Sequence, residues 1–188
     1  MKNVFLALTA LAAVAATPAS AGTIETEVRL GDVVRDSRTN YNELRVEYNG
    51  AAYDVVEYGV ELQARQNENA GGLNTLLSGK LGTALPTFAG IKTNAYGEVG
   101  KSFAARNNFE FWGVGANTAL PVPGTALSLI AGYRHREGFE AANRMNEERI
   151  NAGVKWHLTE KSALGANYYR TTGTERSDIV GVALTYKF

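Results

Sequence analysis

The chain contains no cysteine, which removes disulfide frameworks, zinc–thiolate sites, iron–sulfur ligation and thiol catalysis in one step. Histidine is scarce, with only His135 and His157, and no metal cluster or phosphate loop is legible, so no cofactor is expected. Excess charge is missing too: 19 basic residues face 19 acidic ones over 188 residues, with no basic block. Phosphate neutralisation needs clustered Lys and Arg, so no nucleic-acid partner is expected. A chain that is 45% hydrophobic and 20% charged is not a disordered tail, and its length suits one modest domain.

Long apolar runs are confined to the N-terminus. Lys2, the stretch Val4 to Ala16, and Thr17-Pro18-Ala19-Ser20-Ala21 have the charge, apolar core and small-residue cleavage site of an export signal. The run is too short to span about 30 Å of hydrocarbon as a helix. Cleavage after Ala21 is therefore expected, leaving residues 22–188 as one domain with 18 basic and 19 acidic residues. No later stretch is long and apolar enough for a membrane helix.

What the mature chain carries instead is period two. Val180, Val182, Leu184, Tyr186 and Phe188 alternate with Gly181, Ala183, Thr185 and Lys187. Ile24 to Leu30, Leu44 to Tyr48 and Val56 to Ala64 repeat the beat, with Glu and Arg on the other face. Weaker copies run through Leu77 to Leu85, Ala95 to Phe103, Leu127 to Tyr133, Ile150 to Leu158 and Leu164 to Tyr168. Asn107 to Leu120 is irregular, because Phe109 and Phe111 share one register and Trp112, Val114 and Ala116 the other. A bulge or a late strand start is expected there, with Trp112 facing outward.

About ten strands share residues 22–188, which suits tilted spanning strands of about 9 to 11 residues each. The expected fold is all-β: a transmembrane antiparallel up-and-down β-barrel of about ten strands, with eight or twelve as alternatives. Asn49–Tyr53, Pro86–Gly90, Pro121–Thr125 and Thr159–Ser162 read as short periplasmic turns. Arg35–Asn40, Gln66–Gly72, Ala105–Asn108, His135–Glu148 and Thr171–Asp178 read as outer loops. Tyr48, Tyr58, Phe88, Trp156, Tyr186 and Phe188 then form a lower aromatic belt, and Phe103, Phe109, Tyr133 and Tyr168 an upper one. The rival is a soluble sandwich or lipocalin-like barrel, which would turn its oily face inward.

The C-terminal run Val180, Val182, Leu184, Tyr186 and Phe188 resembles the last strand of Gram-negative outer-membrane β-barrel proteins. That resemblance implies an outer-membrane location after export to the periplasm, with lipid and lipopolysaccharide around the barrel. It also implies that the barrel-assembly machinery reads this strand. A looser resemblance, to small porins for acidic oligosaccharides, rests on the charged inward face and the short chain. Fewer strands, and inward acids as numerous as bases, set this chain apart from them.

The inward candidates are Glu25, Glu27, Arg29, Glu43, Arg45, Glu47, Glu57, Glu61 and Arg65 on an acidic wall. Lys80, Glu98, Arg134, Lys155 and His157 lie on a leaner wall among Gly100, Ser128, Gly132, Gly153, Gly165 and Gly181, whose small size leaves room for a lane. Two readings stay open: a narrow passive pore for small polar solutes, screened by a transverse field, or a lumen closed by pairing of those same charges. In the second reading the barrel acts structurally or through its loops, His135–Glu148 being the candidate for a surface partner. A barrel hydrolase is the weakest reading, since no Asp-x-His or His-x-Ser spacing accompanies either histidine.

Overall fold

The computed structural model describes residues 22–34, 38–52, 56–67, 72–104, 108–140, 145–174 and 176–188. The expected signal, Met1–Ala21, lies outside them, as do the middles of several connections and Arg144. Ten strands follow in chain order: β1 (Gly22–Val34), β2 (Arg38–Ala52), β3 (Val56–Asn67), β4 (Gly72–Ala84) and β5 (Lys92–Phe103). Then come β6 (Phe109–Pro121), β7 (Leu127–Gly138), β8 (Asn146–His157), β9 (Ser162–Gly173) and β10 (Arg176–Lys187). Each pairs antiparallel with the next, and β1 closes on β10 with Thr23 opposite Lys187 and Leu30 opposite Val180. The even count brings the first and last strands to one end, here called the turn end; the opposite end is the loop end.

The faces settle which kind of barrel this is. Outward Val28, Leu81 and Val180 are 51%, 64% and 57% exposed, whereas inward Glu27, Glu61 and Arg136 are 0%, 1% and 1% exposed. A water-soluble barrel shows the reverse, because burying apolar side chains is what drives its folding. An exterior of exposed Leu, Val and Ile around a charged interior is stable where the surroundings are hydrocarbon, and closure leaves no strand edge there without hydrogen-bond partners.

Sequence reading and structure part at the loop end. β7 runs on to Gly138 and β8 starts at Asn146, so His135–Gly138 and Asn146–Glu148 are strand rather than loop. Strands likewise extend into Arg38–Asn40, Gln66–Asn67, Thr171–Gly173 and Arg176–Asp178. The physical reason is that the sheet continues past the hydrocarbon. There the outward positions His135, Glu137 and Glu148 become polar and period two disappears from the sequence, while the ladder hydrogen bonds persist.

β6 contains no bulge: its pairing is continuous from Ser102↔Phe109 to Lys92↔Ala119. Trp112 does face outward, its ring 5.6 Å from that of His135. Phe109 and Phe111 therefore share the inner register, so Phe109 is not a member of the upper belt and Phe111 is wholly buried in the lumen. At the turn end, Phe88 and Ile91 exchange backbone hydrogen bonds around Ala89 and Gly90. Both central residues have positive φ, 50° and 79°, the geometry whose twist matches antiparallel strands. Pro123 and Gly124 (φ 72°) close the β6–β7 turn, with Thr125 N–H donating to the Val122 carbonyl.

Candidate functional site

The lumen is where the chain concentrates its chemistry. Among the described residues, 18 polar or charged side chains are buried against nine hydrophobic ones, so the interior is a polar network rather than an oily core. All fourteen sequence candidates lie on the inward register. Glu25, Glu27 and Arg29 come from β1; Glu43, Arg45 and Glu47 from β2; Glu57, Glu61 and Arg65 from β3. Lys80, Glu98, Arg134, Lys155 and His157 come from β4, β5, β7 and β8.

Glu61 is the hub. Its carboxylate receives Arg45 Nε at 2.9 Å, Lys80 Nζ at 2.8 Å, Arg134 at 3.1 Å and Arg136 at 2.8 Å. Four cations from three strands thus meet on one carboxylate, and two of them cross the lumen from β7 to β3. Arg45 also pairs with Glu47 and, at 2.7 Å, with Glu25. Arg29 bridges Glu27 at 2.7 Å and Glu43 at 2.6 Å. Charges removed from bulk water need partners of opposite sign and further hydrogen bonds. Both are present here: Glu27 accepts hydrogen bonds from Tyr169 Oη at 2.6 Å and Asn167 Nδ2 at 2.9 Å.

Two members of this network fall in the segment expected as an outer loop. Arg136 donates from Nε to Glu98 at 2.7 Å, and its guanidinium lies over the Phe111 ring at 4.9 Å. Glu147 takes Arg134 at 3.3 Å and Arg149 at 3.4 Å. Neither is a surface-loop charge. Arg149, absent from the candidates, donates to Thr171 Oγ1 at 3.2 Å. The signal that locates them is the inward alternation Arg134, Arg136, Gly138 and Glu147, Arg149, Asn151 continuing through polar surroundings.

Toward the loop end the expected lane of small residues is filled. A Cβ on Gly113 would stand 2.8 Å from Glu98 Oε1 and 3.0 Å from Arg136 Cγ; one on Gly100 would meet the Phe111 ring, and one on Gly181 the Glu27 carboxylate. These glycines seat long neighbours instead of clearing a path. Toward the loop end, Glu27, Arg29, Glu43, Gln63, Phe111 and Ile179 are at most 3% exposed, and the lumen is packed there.

Toward the turn end it is not. A cavity of about 620 Å³ reaches from the rim residues Ala51, Leu85 and Thr87 to a ceiling made by Arg29, Arg45, Glu61, Arg134 and Arg149. Its acidic side carries Glu25, Glu47 and Glu57, and its lysines are Lys80, Lys92, Lys155 and Lys187. Asn94, Asn117, Asn151 and Asn167 line the remainder. Asn117 and Asn151 flank Gly132 on adjacent strands, and both amide oxygens crowd the space its side chain would take. Lys155 reaches Glu25 at 3.1 Å, and Asn94 donates to Glu57 at 2.6 Å.

His157 lies at the turn-end rim with its Nε2 3.0 Å from Ser128 Oγ, a pairing across β7 and β8 that linear spacing does not disclose. Among the described residues no carboxylate bonds its other nitrogen, and Ser128 is 6% exposed, so the pair lacks the orienting acid and the access of a hydrolytic site. Among those residues no group of three acidic or histidine side chains is placed to hold a metal ion. Val180, Val182, Leu184, Tyr186 and Phe188 face outward along the β1–β10 closure. Phe188 packs on Tyr48 at 6.1 Å between ring centroids, and Tyr48 lies 6.1 Å from Tyr58.

No family model matches the chain, and no curated protein does. Solved structures do. The β domain of the Bordetella autotransporter BrkA aligns at 10% identity over 90% of this chain and 99% of its own, with a TM-score of 0.61. A bacterial polysaccharide outer-membrane secretin aligns at 7% identity over 80% of this chain and 57% of its own, TM-score 0.53. Neisserial surface protein A aligns at 11% identity over 89% and 97%, TM-score 0.46. The first two show the fold: this chain is a closed β-barrel, here of ten strands, like those of solved bacterial outer-membrane proteins.

Proposed function

We propose that the protein is a narrow outer-membrane channel for small polar solutes, held closed at rest by the ion pairs that meet on Glu61. The observation that carries this reading is the lumen's division: a vestibule entered from the turn end stops at the very side chains that pair across the barrel. A permanently solid barrel has no need of such a vestibule, and a permanently open one would not pack its arginines out of solvent. Rearranged pairs are the least costly route to a continuous path, because guanidinium and carboxylate can exchange partners without leaving the lumen unpaired. In this reading the chain is exported, lipid and lipopolysaccharide surround its apolar band, and its C-terminal strand is handed to the barrel-assembly machinery.

The test is planar-bilayer conductance of the refolded protein with Glu61→Gln beside it. The expected result is rare, small steps for the parent and more frequent or larger steps for Glu61→Gln, which keeps the shape but removes the charge that four cations share. Silence from both folded proteins would overturn the channel. The second reading, a non-conducting barrel that stabilises the envelope or binds partners at its loop end, is favoured by one observation: the close packing of the loop-end lumen.

A further inference from the structure

We propose that the vestibule binds a small oxyanion, a phosphate or carboxylate group on a compact solute, beneath the arginine ceiling at Arg134 and Arg149. This deepens the channel reading and rests on it for the purpose of the site, though not for the binding itself. Eight Lys and Arg side chains line the vestibule against four Glu. The carboxylates that fix the ceiling from behind, Glu27, Glu43, Glu98 and Glu147, are not among its lining. The cavity therefore presents more cationic than anionic side chains: part of the counter-charge of its guanidinium groups stands on the far side, and part, Glu61 above all, in the ceiling itself.

Arg134 and Arg149 are direct cross-strand partners on the inner face. Like charges so placed repel; Glu147 on the loop side is shared between them, and Glu61 at 3.1 Å compensates Arg134 alone. Arg134 is 7% exposed, and its Nε makes no hydrogen bond; Glu98 Oε1 stands 3.9 Å from it. An anion arriving from below would relieve that repulsion and supply an acceptor. Guanidinium suits the role because its planar fork matches the oxygens of phosphate and carboxylate.

The neighbours complete a site for a polar ligand. Asn151 and Asn167 bring amides beside the ceiling, and Tyr169 forms part of the same lining. Asn167 is 6% exposed, and its buried Oδ1, packed against Gly153, has no hydrogen-bond partner, so a turn of the amide would offer an acceptor to a donor on the solute, such as a hydroxyl. Lys92 and Lys187 at the mouth add an attractive field for anions. The closed ceiling and the volume of about 620 Å³ admit a small solute and exclude a threaded polymer.

The experiment is a titration of the refolded protein in zwitterionic detergent micelles with inorganic phosphate, and separately with acetate, followed by amide shifts in two-dimensional NMR. The expected result is saturable shifts confined to Arg134, Arg149, Asn151 and Asn167, with phosphate and acetate ranked by affinity to identify the preferred group. Arg149→Gln should raise the phosphate dissociation constant at least about tenfold, while Lys101→Gln on the exterior leaves it unchanged. If Arg149→Gln does not fold, Lys92→Gln with Lys187→Gln should weaken binding a few-fold through the lost field. Shifts that do not saturate, or that follow surface lysines, overturn the proposal. Saturable binding to a barrel silent in bilayers would sink the channel and spare the site; conductance without saturable binding would do the opposite.

Discussion

The two halves of the lumen are built on the same ten strands, yet one is solid and the other hollow. Toward the loop end, long side chains face one another: Arg136 reaches Glu61 and Glu98 at 2.8 and 2.7 Å, and Phe111 and Gln63 fill what remains. Toward the turn end, the wall of β6, β7 and β8 carries the short side chains of Asn117, Gly132 and Asn151 side by side, which leave the space in front of them unfilled. Strand number sets the width to be filled, but side-chain reach decides whether it is filled. An inward charge is thus no sign of a water-filled path; in this barrel the richest charge cluster is the closure.

The largest way to break that contrast is to remove a cation from the solid half. Arg136→Leu takes from Glu98 its partner at 2.7 Å, leaving only Arg134 at 3.9 Å, and from Glu61 one of its four cations. It should cost about 3–5 kcal/mol of stability, the usual penalty for stranding a buried charge. Urea unfolding in detergent, followed by loss of the heat-sensitive compact band on gels, measures it. A loss below about 1 kcal/mol would mean water already solvates these groups and the half is not solid.

A smaller effect is expected where packing rather than charge is at stake. Gly100→Ala places a methyl against the Phe111 ring and 2.6 Å from the Leu77 carbonyl oxygen, and overpacking of this kind costs about 1–3 kcal/mol. Its unfolding midpoint should drop accordingly. An unchanged midpoint would show that Phe111 yields, so that the glycine serves no seating role.

Much of this architecture was legible in the sequence. The runs Val180–Phe188, Ile24–Leu30 and Val56–Ala64 alternate because one face meets lipid and the other meets charge, and that constraint is strict enough to fix strand number and facing. It fades where the outward residues leave the hydrocarbon, which is why Arg136 and Glu147 read as loop charges although both point into the lumen. The convergence of Arg45, Lys80, Arg134 and Arg136 on Glu61 had no local signature. It arises from barrel closure, which brings β3 and β7 face to face across 73 residues of chain between Glu61 and Arg134. The meeting of Ser128 with His157 is hidden for a nearer reason, since it depends on the β7–β8 register that sets Ser128 opposite Lys155.

The absence of native cysteine makes the division between the halves directly measurable. Single cysteines are placed at Asn117 in the vestibule and at Gln63 in the packed half, and the folded barrel is exposed to a charged methanethiosulfonate reagent, which labels only a reachable thiol. The account predicts prompt labelling of Asn117→Cys and none of Gln63→Cys until Glu61→Gln is added to it. Equal labelling of both sites in the parent background would contradict it, showing a lumen that is open from end to end.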